Sequence, residues 1–322
     1  MITRIVIAVV MVFGASAAWA DPLPSWNETD AKKRIIEFVT SVTDAGADTY
    51  VTPADRVAVF DNDGTLWGEQ PFYFQALYAF DRIARMGAED PSILTSDVLR
   101  AAAAGDMKGA LAEGEEGLLE IVSVSHSGLS VDAFQEDVRD WLERSRHPST
   151  DMRYDEMVYQ PMLELLSYLR DQGFKTFIVS GGGVHFMRAF AEEAYNIPPE
   201  QVIGSQLETS YQVVDGVPTV VKEPGIAFVD DKGGKPVGID AKIGKRPIFV
   251  GGNSDGDFEM LEWSTAGDGP RFGLIVHHTD ADREFAYDRD SHVGKLMRGL
   301  DEGPDRGWLI VDMKEDWSQV WP

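Results

Sequence analysis

The stretch "VAVFDNDGTLW", residues 57 to 67, decides how the rest of the chain is read. Four apolar residues, Val57 to Phe60, have the length of a short buried strand, and the run then breaks into Asp61, Asn62, Asp63, Gly64 and Thr65. Side chains two apart at a strand end project to the same side. Asp61 and Asp63 can therefore address one substrate, one attacking it and the other handling a proton. A carboxylate is a competent nucleophile toward phosphorus. A lone Asp-x-Asp is equally an aspartate turn capping a helix, so the decision rests on what the other strand ends carry.

Working outward, "DAKKRIIEFVTSVTDA" (30 to 45) has helical spacing behind an aspartate. From 72 to about 146 the pattern is helical throughout, with Gly, Pro and Ser punctuation. Beyond it, helices alternate with strands: "QPMLELLSYLRDQG", then "KTFIVSGGG", "VHFMRAFAEEAYNI" and "QVIGSQL". "YQVVDGVPTVV" (211 to 221) reads as a hairpin about Asp215-Gly216. A helix from Pro236, the strand "RPIFVGGN", the helix "DGDFEMLEWS", the strand "FGLIVHH" and a last strand at "WLIVDM" follow. This alternation predicts an α/β fold with a parallel sheet covered on both faces, interrupted by an inserted block of about 75 residues. The expected boundaries are 21–69 and 151–322 for the core and 70–150 for a helical cap, hinged near Gly68 and near 147–155.

Ligands of such sheets bind at the carboxyl ends of the strands. "TFIV" ends in Ser180, Gly181, Gly182 and Gly183, a hydroxyl and main-chain amides suited to phosphate oxygens. "PIFV" ends in Gly251 to Asp257, where Asp255 and Asp257 add hard oxygen donors that, with Asp61, favour Mg²⁺. "GLIV" ends in His277, His278, Thr279 and Asp280. Four strand ends of matching chemistry make the capping-turn reading of Asp61 and Asp63 a poor one.

"FDNDGTLW", "IVSGGG" and "VGGNSDGDFEML" resemble, in order, the nucleophile, phosphate-binding and metal segments of the haloacid dehalogenase superfamily. "QPMLELLSYLRDQGFKTFIVSGG" and the helical cap look like its phosphoserine phosphatase branch. The resemblance covers roughly residues 55 to 280. It implies a Rossmann-like core with a mobile cap, and Mg²⁺-dependent phosphomonoester hydrolysis with Asp61 as nucleophile and Asp63 as general acid and base. Thr65, Ser180, Gly181, Gly182 and Glu69 are the expected contacts to phosphate or substrate. The metal set is Asp61, the Asp63 carbonyl, Asn253 and Asp257, with Asn253 standing where the family usually has aspartate. Asp255 is weighed against Asp257 as a ligand or as a cap of the helix it precedes. Dehalogenation is disfavoured, because dehalogenases of the family lack the second aspartate.

The family also needs one cation by the phosphate, between the second and third strand ends. Lys222, Lys232, Lys235, Lys242 and Lys245 are the candidates. Lys245 directly precedes a strand, at the wrong edge of the sheet. A helix starting at Pro236 places Lys235 at the catalytic edge and Lys242 about 10 Å further along its axis. Lys235 is the choice. In the cap, Glu69, Gln70, Phe72 and Tyr73 could face the cleft; His126, Arg153 and one of His277 and His278 are weaker candidates.

Arg4, the apolar run "IVIAVVMVF" and the ending "AWA" at 18 to 20 have the layout of a secretory signal cleaved after Ala20. The expected location is secreted or periplasmic, with no membrane attachment after cleavage. The chain of 322 residues has no cysteine, hence no disulfide framework, and its 43% hydrophobic residues suffice for a core. A net charge of −25 with no basic run opposes nucleic-acid or anionic-lipid partners. The expectation is an exported phosphomonoesterase of a small soluble substrate, with no partner protein. A phosphotransferase using the same aspartyl-phosphate and a non-catalytic phosphate-ligand binding protein are the alternatives.

Overall fold

The computed structural model describes residues 21–322; the secretory signal expected at 1–20 lies outside them. Strand β1 (Val57–Phe60) is fully buried at every position. It pairs in parallel with β2 (Lys175–Gly183) on one side and, past strands β3 (Val202–Val214) and β4 (Val217–Phe228) in the chain, with β5 (Phe249–Gly252) on the other. Strand β6 (Phe272–Thr279) follows β5 in parallel, then takes β7 (Ala286–Tyr287) antiparallel and β8 (Leu309–Asp312) parallel. The order is β4-β3-β2-β1-β5-β6-β7, with β8 also on β6. The chain leaves β1 toward one edge and returns at β5 to build the other. That topological switch, between the ends of β1 and β5, is where an open α/β sheet leaves a crevice.

The period-2 alternation of β1 divides its side chains between two cores. Ala58 and Phe60 join a cluster with Ile35 and Val39 of helix Asp30–Thr43 and Leu165 and Leu169 of helix Gln160–Asp171. Val57 and Val59 join another with Ile239 of helix Gly234–Ile243 and Phe258 and Leu261 of helix Phe258–Thr265. A strand covered on both faces must be apolar throughout, which is why "VAVF" shows no polar alternation. Gly251 on β5 lies opposite Phe60; a Cβ there would come 2.7 Å from the Phe60 ring, so only glycine lets the two strands meet.

The inserted block is helical, from Phe74–Glu89 through Asp97–Ala103, Met107–Ala110 and Gly114–His126 to Val131–Arg144. Part of it is a small bundle of its own, around Ala79, Ile83, Leu99 and Ile121. The rest is continuous with the main core: Tyr78, Phe134, Val138 and Trp141 pack into the same cluster as Phe60. Asp137 binds the two parts, accepting from Arg82 at 2.9 Å and from Arg85 at 2.9 Å. The hairpin is longer than its sequence signal. It turns at Asp215 (φ 51°) and Gly216 (φ 82°), the two positive angles a type I′ turn requires. Its first strand is continuous with the parallel sheet, so one 13-residue strand serves both.

Asp255, weighed above as a metal ligand or as a cap of the following helix, does not cap that helix. Its carboxylate accepts the backbone N–H groups of Met297 (3.1 Å) and Gly299 (3.1 Å), fastening the C-terminal segment to the end of β5. Ser254 instead supplies the local cap, accepting from Gly256. Asp255→Ala should therefore lower unfolding stability by about 1–2 kcal/mol. Urea titration followed by tryptophan fluorescence checks this; an unchanged midpoint would show the contact to be dispensable.

Candidate active site

Asp61 follows β1 directly, its backbone N–H donating to Gly251 O at 3.0 Å, so the β1–β5 pairing fixes where the carboxylate emerges. The Lys235 ammonium, only 2% exposed, donates to Asp61 Oδ1 at 2.7 Å, Asp257 Oδ1 at 2.5 Å and Val179 O at 3.1 Å. All three of its protons are used. The helix holding it begins at Gly234, two residues before Pro236, which still puts Lys235 at the catalytic edge. Burial opposes the lysine charge, but Asp257 and Asp61 outweigh it and hold its pKa above the ordinary value. Asp61 is pushed well up by burial and by the charge of Asp257, against the pull of Lys235.

Asp257, expected at the metal, has both oxygens hydrogen-bonded within the protein. Oδ1 faces Lys235, and Oδ2 accepts from the backbone N–H groups of Asn253 (2.9 Å) and Ser254 (3.0 Å). Its position makes it a support for Lys235 and for the loop. Asn253 is enclosed as well: its amide donates to Glu69 Oε1 at 2.7 Å and its carbonyl accepts from Thr65 Oγ1 at 3.1 Å. Thr65, expected at the phosphate, is fully buried, and its hydroxyl serves Asn253 because the tight turn at Gly64 (φ 71°) folds it beneath the loop. A Cβ on Gly64 would lie 2.1 Å from the Asn253 amide and 2.3 Å from Glu69 Oε1.

Asp63 accepts Trp67 Nε1 through Oδ1 at 2.8 Å. Burial raises its pKa, while the Trp67 hydrogen bond and the Lys235 charge pull the other way. Trp67 is itself locked by stacking on Phe190, with centroids 4.5 Å apart. Glu69 joins the site through Oε1, which also accepts from Tyr287 OH at 2.8 Å. Burial, then repulsion from Asp63 and Asp61 as secondary causes, drives its pKa well up. Among the described residues, Glu69 Oε2 has no hydrogen-bond partner. Tyr287 comes from the C-terminal region, whose role sequence reasoning left open. His278 from the same region donates its Nε2–H to Gly64 O (2.7 Å) and stacks on Tyr287, so it braces the nucleophile turn from outside the cleft.

Ser180, Gly181, Gly182 and Gly183 line the same cleft of about 350 Å³ as Asp61, Asp63, Glu69, Lys235 and Asp257. Ser180 Oγ accepts the Gly182 N–H at 3.1 Å. The Gly183 N–H donates to Gln75 Oε1 at 2.7 Å; the Gln75 amide reaches His126 Nε2 at 2.9 Å, and His126 Nδ1 meets Ser125 Oγ at 2.6 Å. This relay ties the cap to the glycine segment. It demands neutral His126, whose pKa burial and the nearby Lys222 charge hold well down. Tyr73 and Lys222 also line the cleft, whereas Gln70 binds Val293 O, Phe72 packs in the cap, Arg153 pairs with Asp155, and His277 pairs with Asp288. Lys222 was a candidate for the cation by the phosphate but not the choice, and Gln75 and His185 were not singled out by the sequence. No spacing marks them, since the fold alone brings them to the cleft.

Among the described residues no three His, Cys, Asp or Glu side chains form a ready-made metal cluster. The charge balance nonetheless fits a divalent cation: the carboxylates of Asp61, Asp63, Glu69, Asp231 and Asp257 line the cleft against the ammoniums of Lys222, Lys232 and Lys235. Mg²⁺ asks for few protein charges and keeps several waters, so a site completed by main-chain oxygens suits it.

A solved protein of unknown function from Anaerococcus prevotii DSM 20548 has a similar fold, at TM-score 0.55 and 16% identity, covering 81% of this chain and 89% of that one. A phosphoserine phosphohydrolase-like protein from Francisella tularensis (TM-score 0.37, 17% identity, 69% and 87% covered) and a probable phosphoserine phosphatase from Vibrio cholerae (TM-score 0.38, 15% identity, 70% and 59% covered) are looser matches that carry no argument. No curated protein matches this chain. The family model of haloacid dehalogenase-like hydrolases matches residues 58–262, from β1 through the helix after β5, and the chain belongs to that family.

Proposed function

We propose that the chain is a Mg²⁺-dependent phosphomonoesterase of small soluble substrates, working through a phosphorylated Asp61. The observation that carries this reading is the Lys235 ammonium gripping Asp61 Oδ1 while Oδ2 has no hydrogen bond among the described residues and the carboxylate lines the cleft. One oxygen is oriented and the other is available to attack. In the first step Asp61 Oδ2 forms a bond to phosphorus and the ester P–O bond breaks, with Asp63 giving its proton to the departing alkoxide. Burial favours the protonated form of Asp63 needed at that point. In the second step Asp63 takes a proton from water, water oxygen bonds to phosphorus, and phosphate leaves with Asp61 regenerated. Bound Mg²⁺ would supply the positive charge that favours ionised Asp61 and neutralises phosphate oxygens.

Asp61, the Asp63 carbonyl, Asn253 and Asp257 would hold that ion, with Glu69 beside them. The amide of Asn253 holds Glu69 Oε1, which sets a carboxylate beside the neutral asparagine. Asp257 also holds Lys235. Secretion to a periplasmic or extracellular space belongs to the same reading and rests on the amino-terminal sequence. Transfer of the phosphoryl group to an alcohol instead of water uses the same residues, and product analysis with added alcohols separates the two.

Phosphate release from a panel of phosphomonoesters, with Mg²⁺ and with chelator, tests the activity. Metal-dependent release is expected; none from any ester would remove it. Asp61→Asn should lower kcat on the order of 10⁴-fold or more while the far-UV circular dichroism of the fold is kept. For Asp63→Asn the loss should be about 10²–10⁴-fold on alkyl phosphates and smaller on 4-nitrophenyl phosphate, whose leaving group needs little protonation. Equal losses on both would take the acid role from Asp63. Glu69→Gln should weaken Mn²⁺ binding about 10- to 100-fold, read by electron paramagnetic resonance without substrate. An unchanged Mn²⁺ affinity would exclude Glu69 from the metal site.

A further inference from the structure

Lys222 lies on β4, with its backbone paired to the cap: its N–H donates to Leu129 O and its carbonyl accepts from Gly128, each at 2.9 Å. The residue is only 3% exposed, yet it lines the cleft. Its ammonium donates to His185 Nδ1 at 3.0 Å and sits 4.4 Å from the centre of the Phe134 ring. Neither partner is an anion. Burial, then the Lys222 charge itself, holds the His185 pKa down to about 4, so the imidazole is neutral and accepts. Burial also lowers Lys222, to about 8, with no carboxylate near enough to oppose it. Of the other buried cations, Lys32 pairs with Asp21 and Glu28, Arg82 with Asp137, and Lys235 with Asp61 and Asp257, while Arg56 donates to the carbonyls of Val51 and Gln172. Burying a charge without a counter-ion costs several kcal/mol unless a ligand completes the pair.

The surroundings define that ligand. Between the cap and the hairpin the cleft is lined by Leu118, Leu119 and Val122 on one side and Leu207, Ile226 and Phe228 on the other. One ammonium among neutral histidines matches the single charge of a carboxylate better than the double charge of a phosphate. No carboxylate neighbours Lys222 to receive an ammonium, which disfavours zwitterionic head groups. We propose that the substrate is a phosphomonoester whose alcohol carries a carboxylate at the far end of an apolar spacer, the carboxylate seated on Lys222 while the phosphate faces Asp61. This rests on the phosphatase reading for the phosphate end only; the carboxylate seat is a binding property.

Calorimetric titration of the Mg²⁺-loaded protein with two phosphonates that it cannot hydrolyse tests the seat. 4-(Phosphonomethyl)benzoate should bind about tenfold or more tighter than the neutral 4-(phosphonomethyl)benzamide. In Lys222→Met the ratio should fall to about one. Equal affinities in the unsubstituted protein overturn the proposal whether or not the variant folds, and so does a preference that survives in Lys222→Met. Tighter binding of the corresponding bisphosphonate than of the benzoate overturns the choice of carboxylate. Failure of the phosphatase reading would show separately, as absence of phosphate release from every ester, and would not alter these affinities.

Discussion

One buried ammonium organises the active site. Lys235 reaches Asp61, Asp257 and the Val179 carbonyl at once, and those three come from the ends of β1, β5 and β2. Removing one partner from such a set leaves an uncompensated charge in a medium that solvates it poorly, which is strongly destabilising. The geometry of the nucleophile is thus inseparable from the strand order. Only where β1 lies between β2 and β5 can one lysine side chain bind all three ends.

The same arrangement leaves a charge excess that only function explains. A core designed for stability would not gather Asp61, Asp63, Glu69 and Asp257 in one cleft. Burial raises the pKa of Asp61, Asp63 and Glu69, so each resists ionisation. Asn253 brings no charge of its own, but its amide holds the Glu69 carboxylate at 2.7 Å. Tyr287, from a part of the chain beyond the matched family region, donates to Glu69 Oε1, and Gly294 leaves room for that carboxylate.

Much of this was legible from the sequence, for reasons that separate it from the rest. Asp61 and Asp63 stand out because the other apolar runs of the sheet end in matching chemistry, at Ser180 to Gly183 and at Gly251 to Asp257. Lys235 could be selected because Pro236 marks a helix start, and helices in such folds start at the catalytic edge. Those are local signals. The Gln75–His126 relay, the Tyr287 contact and the Lys222–His185 pair join residues from 37 to 218 positions apart, and no local pattern records them. Asp255 shows the same limit: its sequence neighbours suggest a cap for its own helix, but its carboxylate binds main-chain groups some forty residues on. The cap likewise reads as an independent bundle until Phe134 and Trp141 are seen to share a core with β1.

The central claim is that Asp61 carries the phosphoryl group between the two steps. Acid-quenching the protein during turnover of a ³²P-labelled phosphomonoester, then mapping the label by peptide digestion, tests it most directly. The account predicts a hydroxylamine-sensitive acyl phosphate on the peptide containing Asp61. Label on any other residue, or turnover with no trapped label together with inversion of configuration at phosphorus, would contradict it.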